Sequence, residues 1–194
     1  MKKKRTEQLV KEYQRKLNAC SNCPHEDYEI NWYDKEQGTG KLGLFVYPNS
    51  SASVFVVGQN PSHRRYKDTH AMNGRQGDLF REIFGLENLA FSNLIQISTL
   101  DNKVTHLTDD QIGHCFFHLL EEIQIIKPKI IILCSSFAAN KIKTIPSLFA
   151  RLLKAAPQTK IYFTKHPDYY LTYRKESIEY YRNLLLLIKR ENIL

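Results

Sequence analysis

Two polar turns carry the residue types best suited to chemistry. Gly58-Gln59-Asn60-Pro61-Ser62-His63 follows the apolar run Val54-Phe55-Val56-Val57, and Lys165-His166-Pro167-Asp168-Tyr169-Tyr170 follows Ile161-Tyr162-Phe163. Open α/β sheets hold their ligands outside the carboxyl ends of buried strands, so polar side chains on such turns are where reactions are expected. A proline stiffens each turn. Together the turns can set an amide, Asn60, and an imidazole, His166, across one cleft. Each residue also has an ordinary reading. Asn and Pro are turn formers, and a histidine on a surface turn is common.

Such turns need buried elements to hold them. The hydrophobic pattern predicts strands over 53–58, 90–97, 129–134 and 160–164. It predicts helices near 76–85, 108–126, 136–155 (broken at Pro146) and 174–190. The strands are continuous apolar runs such as Ile130-Ile131-Ile132-Leu133, the pattern of a parallel sheet covered on both faces. Thr108-Asp109-Asp110-Gln111 has the form of a capping box opening the third helix. Near the N-terminus Leu9, Val10, Tyr13 and Leu17 form an apolar stripe on a helix over 5–18, ended by Cys20-Ser21-Asn22-Cys23-Pro24. Residues 24–52 are polar with three glycines and read as loop, with room for one short hairpin. The expected fold is a three-layer α/β/α sandwich around a central four-stranded parallel sheet. One domain covers 1–194, with a basic N-terminal helix over 1–18 and an α/β core over 53–190.

Composition narrows the class. A chain of 194 residues builds one sizeable core. With 42% hydrophobic and 25% charged residues it is neither disordered nor membrane-embedded. The longest aliphatic run, Leu184-Leu185-Leu186-Leu187-Ile188, is far too short to span a bilayer. Lys2-Lys3-Lys4-Arg5 is not followed by an apolar signal core, so the expectation is no secretion signal and a cytoplasmic location. The net charge of +8 favours a polyanionic partner, nucleic acid first. Residues 2–18 carry seven Lys/Arg against two Glu, which is also the pattern of a solvated helix face.

Taken together, the motifs resemble those of the uracil-DNA glycosylase superfamily. The uracil-specific branch typically reads Gly-Gln-Asp-Pro-Tyr-His at the first turn, and residues 58–63 match four of those six positions. The mismatch-specific and single-strand-selective branches read Gly-X-Asn-Pro-Gly, which supplies the Asn. Lys165-His166-Pro167-Asp168-Tyr169-Tyr170-Leu171 is similar to the His-Pro-X-Tyr-Leu motif of the thermostable iron–sulfur branch. Gly74-Arg75-Gln76-Gly77-Asp78-Leu79 resembles that branch's Gly-Arg-Ala-Gly-X-Leu. Ser92-Asn93-Leu94-Ile95 resembles its Thr-Asn-Val-Val, and Pro128-Lys129-Ile130-Ile131 its Pro-Lys-Val-Ile. No single motif is specific, but five in the family's order across about residues 19–188 are.

The resemblance implies a monofunctional DNA glycosylase that hydrolyses the N-glycosidic bond of a damaged or modified pyrimidine and leaves an abasic site. That reaction puts positive charge on the sugar and negative charge on the departing base. A preorganised donor at the base oxygen is worth ~3–4 kcal/mol of barrier. By resemblance His166 is that donor, and Asn60 positions the water. The base pocket would be Gly58, Gln59, Ser62, His63, Met72 and Asn93, with the Asn93 side chain reading a base flipped out of the stack. DNA contacts would come from Arg64, Arg65, Arg75 and Arg174, with Tyr169, Tyr170 and Leu171 as the duplex wedge, the two tyrosines reading equally as core or rim aromatics. The partner is DNA, and the chain is expected to act as a monomer away from membranes. Lys165 suggests a Schiff-base lyase step only weakly, since a neighbouring surface lysine is commonplace.

Three departures bear on substrate and cofactor. Ser62 stands where the uracil-specific branch has a Tyr that excludes 5-methyl bases. Met72 stands where the iron–sulfur branch stacks a Phe, and methionine adapts to irregular ligands. Both point to a bulky 5-substituted base, such as the hydroxymethylated or glucosylated cytosines of phage genomes, in repair or antiviral defence. Cys20, Cys23 and Cys115 match three of the four cluster ligands of that branch. His106 falls in the loop where the fourth belongs, so a 4Fe-4S cluster or a structural zinc is expected there, against free thiols in a reducing compartment. Cys134, after a buried strand, reads as a core thiol. The rival functions are a catalytically silent DNA-binding relative that recognises modified bases, favoured by Asn at position 60, and an unrelated α/β protein acting on free nucleosides.

Overall fold

The computed structural model describes residues 8–13, 15–16, 51–60, 72, 75–96, 104, 107–173 and 177–193. Residues 8–13 and 15–16 are helical. The core then runs β1 (Val54–Gly58), α1 (Arg75–Phe84), a 3-10 turn (Leu86–Asn88) and β2 (Leu89–Asn93). It continues with α2 (Asp109–Ile126), β3 (Ile130–Leu133), α3 (Ser136–Thr144), α4 (Pro146–Ala155) and β4 (Lys160–Phe163). A π turn (Tyr169–Tyr173) and α5 (Ile178–Ile193) close the chain.

The four strands form one all-parallel sheet in the order β2-β1-β3-β4. The chain therefore winds one way from β1 to β2, and the other way from β3 to β4. The switch point lies between β1 and β3, where open α/β sheets gape at their carboxyl ends. Every residue of β1 is buried, as its unbroken apolar run requires. The edge strand β4 departs from that expectation, with Ile161, Tyr162 and Phe163 only half-buried.

Helices cover both faces. On one face α2, α3 and α4 pack with Phe55, Val57, Ile131 and Leu133. On the other, α1 and α5 pack with Val54, Val56, Phe91 and Ile132. This is the three-layer α/β/α arrangement.

Local signals set the helix ends. Thr108 and Gln111 make the reciprocal capping box at the start of α2 (3.2 and 2.9 Å), and Lys127 ends it in the left-handed region at φ 53°. Pro146 opens α4 at its first turn, splitting the 136–155 helix where the sequence predicts. The second strand ends at Asn93 rather than at residue 97. The consecutive amides of Leu94 and Ile95 donate to the Gly58 and Gln59 carbonyls (3.0 and 2.9 Å). A continuing parallel ladder would use alternate amides, so the chain instead curls around the end of β1.

Candidate active site

The parallel register lines up four strand ends along one edge. Gly58 pairs with Asn93, Val57 with Leu133 and Leu133 with Phe163. Asn60 and His166 thus each lie three residues beyond one row, on strands separated by β3. Two strand spacings amount to about 10 Å, room for a nucleobase between the turns.

Gly58, Asn93 and Met72 meet at one point. A Cβ on Gly58 would lie 2.6 Å from Asn93 Oδ1 and 3.7 Å from Met72 Cε. Glycine here is a requirement of close approach. Met72 adopts φ 54°, a left-handed conformation that costs a side-chain-bearing residue energy and must be held from outside. Two residues of α1 hold it. Both Arg81 Nη atoms donate to the Met72 carbonyl at 3.3 Å, and a Cβ on Gly77 would lie only 1.8 Å from that oxygen. The glycine of the Gly-Arg-Gln-Gly motif is therefore the space into which the Met72 backbone fits.

At the other turn the Asp168 backbone N–H donates to His166 Nδ1 at 3.2 Å. Asp168 Oδ2 also lies 3.5 Å from the same nitrogen. Nδ1 cannot accept from the amide and donate to the carboxylate together. The amide bond is shorter and its polarity is fixed, so the ring is assigned as neutral, with its proton on Nε2. The carboxylate instead receives Gln76 Nε2 through Oδ1, tying the first turn of α1 to the histidine turn. Behind His166, the Thr164 hydroxyl and Tyr181 OH lie 3.3 Å apart.

On the first turn Gln59 Nε2 donates to Asn60 Oδ1 at 3.1 Å, with both side chains half-buried. Arg75 is exposed at the start of α1. Tyr169 is half-buried with Lys165 Nζ 3.8 Å above its ring, and Leu171 is half-buried in the π turn. Tyr170 requires a correction. The expected wedge residue is 8% exposed and stacks on Tyr181 at 4.6 Å and 17°, so it braces the turn from inside the core. Its apolar ring gains more from that stack than from water.

Cys115 is fully buried on α2. Among the described residues no group of three His, Cys, Asp or Glu side chains could hold a metal. Cys134 is a buried core thiol whose Sγ donates to the Val57 carbonyl at 3.2 Å, and burial pushes it well up from its ordinary value. Ser62, His63, Arg64, Arg65, Arg174, Cys20, Cys23 and His106, which the sequence singles out, lie outside the described residues.

Sequence reasoning missed Arg81 and the Gln76–Asp168 bond. It also missed Glu122, fully buried on α2 beneath the end of β2. Each had a signal. A glycine in the first turn of a helix asks for a packing reason, and Glu122 sits in the buried stripe of Cys115, Leu119, Ile123 and Ile126.

A doubly wound parallel sheet with amide and imidazole turns at its carboxyl edge defines an α/β domain built to work on a ligand at its switch point. The chain belongs to the uracil-DNA glycosylase superfamily, whose family model matches residues 45–188. No curated protein gives a significant match. Membership points to a DNA glycosylase, with DNA as the partner. No helix among the described residues is long and apolar enough to cross a membrane.

Proposed function

We propose that this protein is a monofunctional DNA glycosylase that removes a modified pyrimidine carrying a bulky 5-substituent, in base-excision repair or antiviral defence. The observation that carries the chemistry is the Asp168 amide bonded to His166 Nδ1 at 3.2 Å. A ring so held keeps its proton on Nε2 and acts as a neutral hydrogen-bond donor. Donation to the base carbonyl stabilises the negative charge that develops as the glycosidic bond breaks. In this reading the Asn60 side-chain amide, whose oxygen accepts from Gln59 Nε2, orients the water. The water adds to C1′ of the sugar cation, and its proton leaves to solvent or to the departing base. Asn93, against Gly58 and Met72, supports a reading of the base edge from the β2 side.

The substrate preference rests on Ser62 and Met72, where a bulkier aromatic would close the space at C5. In this reading the chain works as a monomeric single domain over residues 1–194 in the cytoplasm, with Arg64, Arg65, Arg75, Arg174, Tyr169 and Leu171 meeting the DNA. Cys20, Cys23, Cys115 and His106 would hold a structural 4Fe-4S cluster or zinc, and no catalytic step runs through it. A cluster would absorb near about 400 nm, and zinc would be stoichiometric by elemental analysis.

The test is incubation with oligonucleotides carrying uracil, mismatched thymine, 5-hydroxymethylcytosine and its glucosylated form, followed by detection of abasic sites. Activity confined to uracil would sink the modified-base reading. His166→Ala should lower excision ~10²–10³-fold while DNA binding persists. Asn at position 60 favours the rival, a silent binder of modified bases. That rival predicts no abasic sites from wild type on any member of the panel.

A further inference from the structure

Glu122 is the one fully buried carboxylate among the described residues, and nothing above uses it. Burying a carboxylate costs several kcal/mol unless donors surround it. Here two hydroxyls do so, and they come from distant parts of the chain. Ser92, the residue before Asn93, donates to Glu122 Oε2 at 2.6 Å. Tyr13, on the N-terminal helical segment, donates to Oε1 at 2.8 Å. A length of 2.6 Å is typical of a hydroxyl bonded to a charged acceptor. Gln96 completes the circuit from the far side of Asn93. Its Nε2 donates to Ser92 Oγ at 3.3 Å and to the Asn93 carbonyl at 2.8 Å.

Asn93 is thereby bracketed. The residue before it hangs on Glu122, its own carbonyl is held by Gln96, and Gln96 in turn leans on the serine that Glu122 orients. The Ser92 proton points at the carboxylate, and a lone pair of the same oxygen accepts from Gln96. Tyr13 keeps its own proton too, because burial first, and then the charge and hydrogen bond of Glu122, raise its pKa well above the ordinary 10.0.

We infer that Glu122 is a positioning residue for the base-reading Asn93, and that Tyr13 links the basic N-terminal helix to it. The inference rests on the glycosylase reading for what Asn93 does, but its structural core does not. Replacing Glu122 by Gln puts an N–H donor where an acceptor stood. With that donor facing Ser92, the serine proton must turn away, toward the Asn93 carbonyl 3.5 Å off, where it competes with Gln96. DNA affinity, set largely by phosphate contacts, is not touched.

The experiment compares Glu122→Gln, Ser92→Ala and Tyr13→Phe with Glu121→Gln, a neighbouring half-exposed carboxylate. The readouts are the side-chain amide resonances of Asn93 and Gln96 in ¹⁵N-labelled protein, single-turnover excision, and DNA affinity. Glu122→Gln and Ser92→Ala should shift the Asn93 resonances and slow excision about tenfold or more at unchanged DNA affinity. Tyr13→Phe should do so less, and Glu121→Gln not at all. Unmoved Asn93 resonances in both Glu122→Gln and Ser92→Ala would overturn the inference. If Glu122→Gln does not fold, Ser92→Ala decides alone, since it removes only one hydroxyl. If wild type excises no base from the panel, the glycosylase reading fails, and the resonances still decide whether Glu122 holds Asn93.

Discussion

A single added methyl group makes the sharpest probe of the site at the scale of one residue. Gly58→Ala would bring a Cβ to 2.6 Å from Asn93 Oδ1, closer than carbon and oxygen tolerate. The short Asn side chain can swing aside, so the fold should survive while the Asn93 amide leaves its place. The expected outcome is a large fall in excision with a change in Tm of only a few degrees, read by single-turnover assay and thermal melts. Asn60 and His166 were legible because they are polar groups on turns after apolar strands. Glu122 was not, because a charged residue in a helix is ordinarily solvated and only its place in the stripe argued otherwise. Gln76 and Asp168 are 92 positions apart, and no local pattern announces their bond. The sequence could not choose between wedge and core for Tyr170 for the same reason: Tyr181, its stacking partner, comes from the next helix.

Among the elements, α1 shapes the pocket without lining it. Its Gly77 and Arg81 clamp the Met72 carbonyl and keep that residue at φ 54°. Gly77→Ala sets a Cβ against backbone, which cannot swing aside as a side chain can. The variant should lose about 1–3 kcal/mol of stability by overpacking, measured by urea denaturation, even though alanine is the better helix former. Arg81→Ala should cost less, since it removes hydrogen bonds and adds no clash. The strands were legible as unbroken apolar runs, and the break between α3 and α4 from Pro146. The early end of β2 was not, because Leu94 and Ile95 are as apolar as the strand itself and only their bonds to β1 turn the chain.

For the molecule as a whole, the buried acidic hydrogens set an upper pH limit. Burial raises the pKa of Tyr13, Tyr170 and Tyr181 above the ordinary 10.0, and that of Cys134 above 9.0. The folded chain keeps these protons where the unfolded chain releases them. Their stabilisation is therefore complete below pH 9 to 10 and declines as pH rises further. Denaturation midpoints should fall between about pH 9 and 11, and Tyr181→Phe should flatten the slope while costing the Thr164 bond. Midpoints that stay level over that range would contradict the burial assigned to these groups.

The sheet has a separate core on each face, and the two halves of the site are rooted in different ones. Asn93 is braced through Ser92 and Glu122 to α2 on one face. The turn that carries His166 is braced at its two ends, where the Thr164 hydroxyl lies 3.3 Å from Tyr181 OH and Tyr170 stacks on the Tyr181 ring of α5. The two braces are separate, yet α1 reaches both halves, holding Met72 through Gly77 and Arg81 and the His166 turn through Gln76. Loosening α2 should therefore disturb Asn93 alone, whereas loosening α1 should disturb the Met72 side and the His166 turn together, which makes that helix the common hinge of the carboxyl edge.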